Sequence, residues 1–482
     1  MSETPRGHAT DAIRHADILI VGGGLSGAML AAQLLRLPGK RSVLVIEPRA
    51  ELGRGEAYSA VELGHTLNGN AARMSVDPDN ADDLTQWLTE HIAAGGWPES
   101  DQQHVPISEL FPPRGLFGVY VQQRLTEAQA VGALNGSTVE HVRAEVVDLE
   151  TLDDSVRLTL SDGQRLQGAY AVLATGMFPA ARTPQTQSSG VNAAALDPWD
   201  VAAMRQLDPQ STVLIIGSGL TMVDAVVSLE QAGHRGPINV FSRHGLLPHV
   251  RRQPPAWVDF LAEDTTLRTP RQLVRELRRH CRDAIAQGID WQAPLDTVRA
   301  HIGRLWNQAT DAQRRQFVRH VRPWWESHHH RSPPLSAELV ARLHGEGRLQ
   351  IEAASFKGLA PSTHGDNVSL YIRRRGETET SVVSGAALIN SSGIEYDWRR
   401  VARPLPRQLL ARGLIQPGPL ALGIAAAVDG AVMNANGNVS DRVFAMGPPL
   451  RGMWWESTAV TDVASQAKAL ASRLILKKPD RT

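Results

Sequence analysis

The chain alternates continuous apolar runs with stretches in which apolar side chains recur at helical spacing. Residues 18–21, Ile-Leu-Ile-Val, form an uninterrupted apolar run after Asp17, the mark of a strand buried on both faces. Residues 25–37 then carry apolar positions at helical spacing, and residues 42–46 return to an apolar run ending at Glu47. The same order recurs later, with a strand predicted over 212–216, a helix from 220 and a strand over 238–241. Between these units the spacing predicts helices over 82–92 and 117–130, the second following a break at Phe111-Pro112-Pro113. Short alternating strands are expected from 138 to 172, with a turn at Ser161-Asp162-Gly163, and a linker rich in Pro, Ser, Thr and Gln over 179–209. Helices return over 270–286 and 311–325, strands over 349–372 and 386–390, and a last strand at 442–446 leads to a helix over 459–476. Strands that alternate with helices in this way predict an α/β fold with parallel sheets.

Glycines sharpen the two strand-helix units. Gly22, Gly24 and Gly27 stand as G-x-G-x-x-G between the first strand and helix, allowing a tight turn, a close backbone approach to a pyrophosphate, and close helix packing. Glu47, 20 residues past Gly27 at the end of the next strand, is positioned for a ribose hydroxyl. The second unit has Gly217 and Gly219 but Val223 in the third position, and its next strand ends in Ser242-Arg243. An arginine there suits a 2′-phosphate, so NADPH is expected ahead of NADH. Two such units 195 residues apart are most economically used as one site for FAD and one for a nicotinamide. The fold expected is therefore α/β, with two Rossmann-like dinucleotide-binding domains. An FAD-binding domain over 1–205 and 391–482 is interrupted by an NAD(P)-binding domain over 206–390, which carries a helical insertion over 251–345.

A length of 482 residues calls for more than one core, and an apolar share of 42% fits a soluble globular chain. Net charge is zero, which gives no general attraction to nucleic acid or to a membrane. From Arg243 to Arg342, however, there are 17 arginines and no lysine against 10 acidic residues. That stretch also holds Trp257, Trp291, Trp306, Trp324 and Trp325, and is expected to cover part of a cleft. Cys281 is the only cysteine, which excludes disulfides within the chain and a paired-thiol redox centre. The first 16 residues lack an apolar core of signal-peptide length and no apolar run spans a bilayer, so a cytoplasmic location is expected. His328-His329-His330 are adjacent on a predicted helix and point in different directions, so no metal site is expected.

Seven segments together resemble a known family. They are Gly22-Gly23-Gly24-Leu25-Ser26-Gly27, the loop from Leu67-Asn68 to Met74, Phe111-Pro112-Pro113-Arg114-Gly115-Leu116-Phe117-Gly118, Ala174-Thr175-Gly176, Gly217-Ser218-Gly219-Leu220-Thr221-Met222-Val223-Asp224, Ser242-Arg243-His244-Gly245-Leu246-Leu247-Pro248, and Gly447 through Glu456. The set is similar to bacterial FAD/NAD(P)-binding proteins related to a flavin-dependent urate hydroxylase, over nearly the whole chain, and the missing third glycine after Gly219 is normal for that group. The resemblance implies a flavin monooxygenase that consumes NAD(P)H and O2 and hydroxylates a small electron-rich substrate, a urate-like heterocycle first, through a flavin C4a-hydroperoxide. It implies FAD contacts at Gly22, Gly24, Ser26, Gly27, Glu47, Asn70, Arg73, Met74, Thr175, Gly176, Gly447 and Ala459, and NADPH contacts at Gly217, Gly219, Thr221, Ser242 and Arg243. Arg73 and Arg451 are candidates to hold an anionic substrate, and Trp455 to shield the reaction from water. Two rival readings stay open: N-hydroxylation of an amine or amino acid, and a flavin-binding electron carrier or redox sensor without an organic substrate. No nucleic-acid or membrane partner is expected, and homo-oligomerisation is left open.

Overall fold

A computed structural model describes residues 13–60, 62–97, 104–179, 196–262, 269–361 and 368–476. Two sheets carry the chain. The first centres on β1 (Arg14–Val21), which pairs in parallel with β2 (Ser42–Ile46) on one side and β6 (Arg165–Leu173) on the other. Beyond β2 lies β3 (Thr138–Val142), and an antiparallel hairpin of β4 (Val146–Thr151) and β5 (Val156–Leu160) feeds β6. The helix α1 (Leu25–Arg36) crosses between β1 and β2, ending just before Pro38, whose ring disfavours helical backbone at the preceding residue. Two further helices on this side are α2 (Asp83–Ala93) and α3 (Arg114–Leu134); α3 starts three residues earlier than its apolar spacing predicts because Pro113 serves as its N-cap.

After the two-residue β7 (Phe178–Pro179) the chain builds a second sheet, ordered β12-β11-β10-β9-β8-β13. Its strands are β8 (Val213–Ile216), β9 (Ile238–Ser242), β10 (Leu349–Ala360), β11 (Val368–Arg374), β12 (Ser381–Gly385) and β13 (Ala387–Asn390). β13, β8, β9 and β10 run parallel, and β11 and β12 turn antiparallel at the edge. The chain then returns to the first sheet: β14 (Ile394–Glu395) pairs with β7, and β15 (Ala431–Met433) and β16 (Val439–Ala445) extend the first sheet beside β6. The helix Val460–Leu476 closes the fold by burying Val463, Ala467 and Leu470 in the same cluster as Leu30 and Leu34 of α1.

Between β9 and β10 lie the helices Pro270–Ala286, Gln292–Arg299, Ile302–Gln308, Asp311–Gln316 and Arg322–His329. The helix expected over 311–325 is broken by a π-helical stretch, Phe317–Val321, just before Pro323, which has no amide hydrogen to continue the regular ladder. Leu295, Ile302, Trp306 and Trp325 of these helices form one apolar cluster with Leu422 and Trp455, which docks the insertion on the C-terminal segment. The last helix before β10, Pro334–Gly345, instead buries Val340 and Leu343 against Val213 of β8 and Val223 of the helix Leu220–Gln231.

The two sheets are fastened by buried polar contacts. Arg114 at the start of α3 pairs at 3.0 Å with Asp224 of the helix Leu220–Gln231, and His65 Nε2 lies 2.6 Å from Ser228 Oγ on that helix. Asp224 is buried, which raises its carboxyl above the ordinary range against the opposing pull of Arg114 and His65. A buried pair of this kind is costly to break by removing one partner, so the relative setting of the two sheets is specified.

Candidate active site

Both glycine turns sit at the carboxyl ends of parallel strands, where the neighbours of a central strand lead off in opposite directions. This is where open α/β sheets bind ligands. At the first turn Gly22 has φ +102°, and a side chain there would collide with the Ala174 carbonyl. Gly27 abuts the Gly22 carbonyl, with Ile20 behind it, which explains why the third glycine is needed here. α1 starts at Gly24 with no side-chain cap and no acidic residue in its first turn, leaving its leading amides available to a phosphate. The helix Leu220–Gln231 starts at Gly219 in the same uncapped, acid-free way. The insertion helices Pro270–Ala286 and Asp311–Gln316, by contrast, each carry a complete Thr/Gln capping box.

Glu47 is buried, and its Oε2 accepts a 2.9 Å hydrogen bond from the Gly23 amide, while Oε1 accepts from the Arg49 amide at 3.0 Å. The carboxylate therefore braces the glycine turn itself, a contact its spacing did not announce. Ser26 is buried beneath Gly447, whose φ of +69° turns the chain at the end of β16 and whose amide donates to Gln466 at 2.9 Å. Thr175, beside Gly22, and Asn70 both carry buried side-chain oxygens without a partner, Oγ1 and Oδ1 respectively. Gly176, at φ +71°, has open space where a side chain would lie. Unpaired buried acceptors beside an uncapped helix start fit a polar ligand such as FAD. Met74 packs on Gly69, and Ala459 immediately precedes the last helix, where its amide donates to the Glu456 carbonyl. Arg73 is held at 3.3 Å from Asp296 of the insertion.

The second turn opens on a cleft of about 1500 Å³. Gly217, Gly219, Thr221, Ser242 and Arg243 all line it, together with the strand ends at Ile216 and Asn390. Gly217 has φ +97° and is pressed against the Ser391 carbonyl, whereas a side chain on Gly219 would meet nothing within 4 Å. The Ser242 hydroxyl accepts from the Gly245 amide at 3.0 Å and lies 2.8 Å from Ser218 Oγ, fixing the loop that carries Arg243. The Arg243 guanidinium makes no ion pair among the described residues, although it lines the cleft. A backbone open above Gly219 and a free cation at the end of the next strand fit a dinucleotide with a 2′-phosphate. Gly22, Gly24, Gly27 and Glu47 do not line this cleft, so the two turns serve separate places.

The cleft runs inward to Arg451, Tyr396, Arg322 and His330. Arg451 is 2% exposed, has no carboxylate within ion-pair distance among the described residues, and leaves Nε without a partner. Its guanidinium stacks 4.2 Å from the Trp455 ring centre, and Trp455 in turn packs on Trp306 at 4.7 Å and Phe317 at 5.1 Å. Trp306 Nε1 donates to the Gly452 carbonyl at 2.8 Å, so the insertion is tied to this segment by a hydrogen bond as well as by apolar contact. Burial pushes the His330 imidazole down to about 3, with His329 and Arg451 adding to the effect and Glu456 opposing it. Glu456 shows the opposite balance: burial raises its carboxyl, but His329 at 3.7 Å, Arg451 and His330 outweigh that and hold it at about 2. This end of the cleft thus presents a fixed cation beside a neutral imidazole within aromatic walls. The sequence named Arg451 and Trp455 as candidates and His330 only within the histidine run, and it gave no sign of Tyr396, Arg322 or Asp296, which no spacing pattern marks.

The three adjacent histidines diverge. His328 Nδ1 is 2.7 Å from the Trp324 carbonyl, His329 faces Glu456 and His330 faces the cleft. Among the described residues no cluster of three or more His, Cys, Asp or Glu could hold a metal, and no helix is long and apolar enough to cross a membrane. Cys281 is half-buried, and burial with Asp290 nearby pushes its thiol up to about 11.

Residues 19–178 match the protein family described as FAD-NAD(P)-binding. A chloroplast zeaxanthin epoxidase of Prunus armeniaca is 26% identical over 194 residues, 38% of this chain, and the match spans only 28% of that enzyme's length. The ornithine N-hydroxylase of Kutzneria sp. 744, solved with reduced FAD, NADP+ and L-ornithine, superimposes with a TM-score of 0.63 at 14% identity, covering 96% of this chain and 100% of that one. The bacillithiol disulfide reductase of Staphylococcus aureus gives 0.55 at 13% identity, covering 97% and 100%. At such identities the likeness is one of fold, and it extends to flavoproteins of different chemistry. Residues 19–178 thus match an FAD-NAD(P)-binding family, and the whole chain shares the fold of proteins with two dinucleotide-binding domains.

Proposed function

We propose that the protein is an FAD-dependent monooxygenase that consumes NAD(P)H, NADPH ahead of NADH, and hydroxylates a small electron-rich substrate, a urate-like heterocycle first. The observation that carries this reading is the single cleft running from the Gly217–Gly219 turn and Arg243 to Arg451 beside the C-terminal segment. When bound, FAD supplies hydride acceptance from the nicotinamide and activation of O2. The protein's own part is to bind, orient and keep dry. The uncapped helix at Gly24 takes the FAD pyrophosphate and Glu47 the adjoining ribose, with Gly22, Ser26, Gly27, Asn70, Arg73, Met74, Thr175, Gly176, Gly447 and Ala459 along the rest of the cofactor. Gly217, Gly219, Thr221 and Ser242 receive the NADPH pyrophosphate end, and Arg243 its 2′-phosphate.

Arg451, a buried cation that makes no direct ion pair among the described residues and whose nearby Glu456 faces His329, is suited to an anionic planar substrate. Trp455, Trp306 and Phe317 form the wall that excludes water, which an oxygen-activating flavin requires. The lone cysteine supports oxygen as the electron acceptor, since a dithiol relay needs two. A second reading, N-hydroxylation of an amine or amino acid, draws support from the whole-length likeness to the ornithine N-hydroxylase. The test is oxygen and NADPH consumption by the FAD-loaded protein with urate, other planar heterocycles, amines and amino acids. A urate-like compound is expected to raise turnover above the peroxide-forming background. Stimulation by amines alone would transfer the function to the second reading, and no stimulation by any small molecule would favour an electron carrier.

A further inference from the structure

Where the insertion meets the loop carrying Asn68 and Met74, two guanidinium groups share one carboxylate and two more lie nearby without an ion pair among the described residues. Arg73 and Arg331 lie 3.3 and 2.9 Å from the two oxygens of Asp296. Arg251 donates from Nε to the Asn68 carbonyl at 2.7 Å and has no ion pair among the described residues. Arg299 reaches Thr461 Oγ1, in the first turn of the last helix, at 3.4 Å. Arg331 is 0% exposed, and its Nη1 is buried with no hydrogen-bond partner. Burial pulls the Arg251 guanidinium down to about 9, and Arg331, Arg73 and Arg299 push it the same way while Asp296 opposes. Of the other carboxylates nearby, Asp290 acts on Arg331 but is paired with Arg252 at 2.7 Å, burial raises the Asp462 carboxyl, and the ionised Glu456 faces His329 at 3.7 Å.

A buried, incompletely paired guanidinium costs several kcal/mol unless an anion answers it. We propose that Arg73, Arg251, Arg299 and Arg331 form a cationic site for the anionic, reduced form of bound FAD, with the insertion supplying three of the four charges. The inference rests on the FAD reading above and deepens it. The cluster touches two segments assigned to that cofactor, the Asn68–Met74 loop and the start of the last helix, whose leading amides add partial positive charge of the same sign. A ligand that gains negative charge on accepting electrons is stabilised by this field more when reduced than when oxidised. The insertion is then part of the redox tuning and not only a cover.

Sulfite reports the same field without turnover, because its sulfur adds to flavin N5 and leaves an extra negative charge on the ring. A unit charge about 10 Å away at an effective dielectric near 20 is worth about a tenfold change. In the FAD-loaded protein, Arg331→Met and Arg299→Met are expected to weaken sulfite binding about tenfold and to lower the two-electron flavin potential by about 30 mV, the equivalent of tenfold. Arg331→Lys, which keeps the charge, should stay within about threefold, and Arg282→Met, on the exposed face of the insertion, should change neither readout. Unchanged sulfite affinity and potential in both methionine variants, with FAD retained, would overturn the proposal. So would a raised KM for substrate with an unmoved potential, which would assign the cluster to the substrate. If Arg331→Met does not fold, Arg299→Met, on a half-buried side chain, decides alone. A protein that takes up no FAD at all would instead remove the functional reading beneath it.

Discussion

The same substitution made two residues apart in one turn should have opposite consequences. Gly217 has φ +97°, and a methyl group there would run into the Ser391 carbonyl at the end of β13. Left-handed backbone costs an L-residue about 1–2 kcal/mol, and relieving a collision with backbone adds a comparable amount, so Gly217→Ala should destabilise by about 2–4 kcal/mol. At about 2–4 °C per kcal/mol, the melting transition should fall by about 10 °C. Gly219 has φ −83° and ψ −166°, a conformation any residue adopts, and nothing lies within 4 Å of the added methyl. Gly219→Ala should therefore melt within about 2 °C of the parent, or slightly above it because the unfolded chain loses freedom. Its effect falls on the ligand, since the methyl occupies the approach of a pyrophosphate to the helix start. Losing one or two charge-assisted hydrogen bonds of about 1.5–3 kcal/mol raises the NADPH concentration for half-maximal flavin reduction tenfold or more. Flavin-fluorescence melting and anaerobic stopped-flow reduction separate the two effects. Reduction of the Gly219→Ala protein at unchanged NADPH concentrations would refute the assignment of this turn, and an unaltered melt for Gly217→Ala would refute the backbone argument.

Three further outcomes follow from the site. Arg243→Gln, removing a cation without an ion pair, should raise KM for NADPH about tenfold while leaving NADH within about twofold; equal effects on both would detach Arg243 from the 2′-phosphate. Trp455→Ala removes a 2% exposed ring from the apolar cluster, so it should destabilise by about 3–5 kcal/mol and divert reduced flavin to hydrogen peroxide, read as peroxide formed per NADPH. Glu456 is held at about 2 against 4.5 in the unfolded chain, so its stabilising contribution, on the order of 3 kcal/mol, is complete above pH 4.5 and is lost as pH falls toward 2. Glu456→Gln should thus flatten the acid limb of a urea-denaturation profile, and an unchanged limb would show that the carboxylate is not held by His329 and Arg451.

The parts of the fold that were legible in sequence are those whose physics is local. Strand, turn and helix at Gly22 and Gly217 follow from consecutive residues, whereas the stacking of Arg451 on Trp455 emerged only in the structure. Proline's effects were legible only in part: Pro38 ends α1, but the π-helical stretch before Pro323 was hidden because helical spacing of apolar residues survives a change of ladder. The contacts that could not be read are those made between distant segments. Asp296 joins Arg73 to Arg331, and Arg114 meets Asp224, across stretches of chain with no shared period. Glu47 illustrates both cases, since its position was predictable while its bond to the Gly23 amide depends on how the turn closes. The linker expected over 179–209 falls mostly outside the described residues, and its later part contains a short helix, Val201–Met204.

Isotopically labelled dioxygen gives the most direct test of oxygen insertion. FAD-loaded protein would be supplied with NADPH, labelled O2 and the small molecule that best accelerates NADPH consumption, and the product analysed by mass spectrometry. One labelled oxygen atom in the organic product for each NADPH consumed is expected. Label recovered only in hydrogen peroxide, with the organic compound unaltered, would contradict the monooxygenase reading.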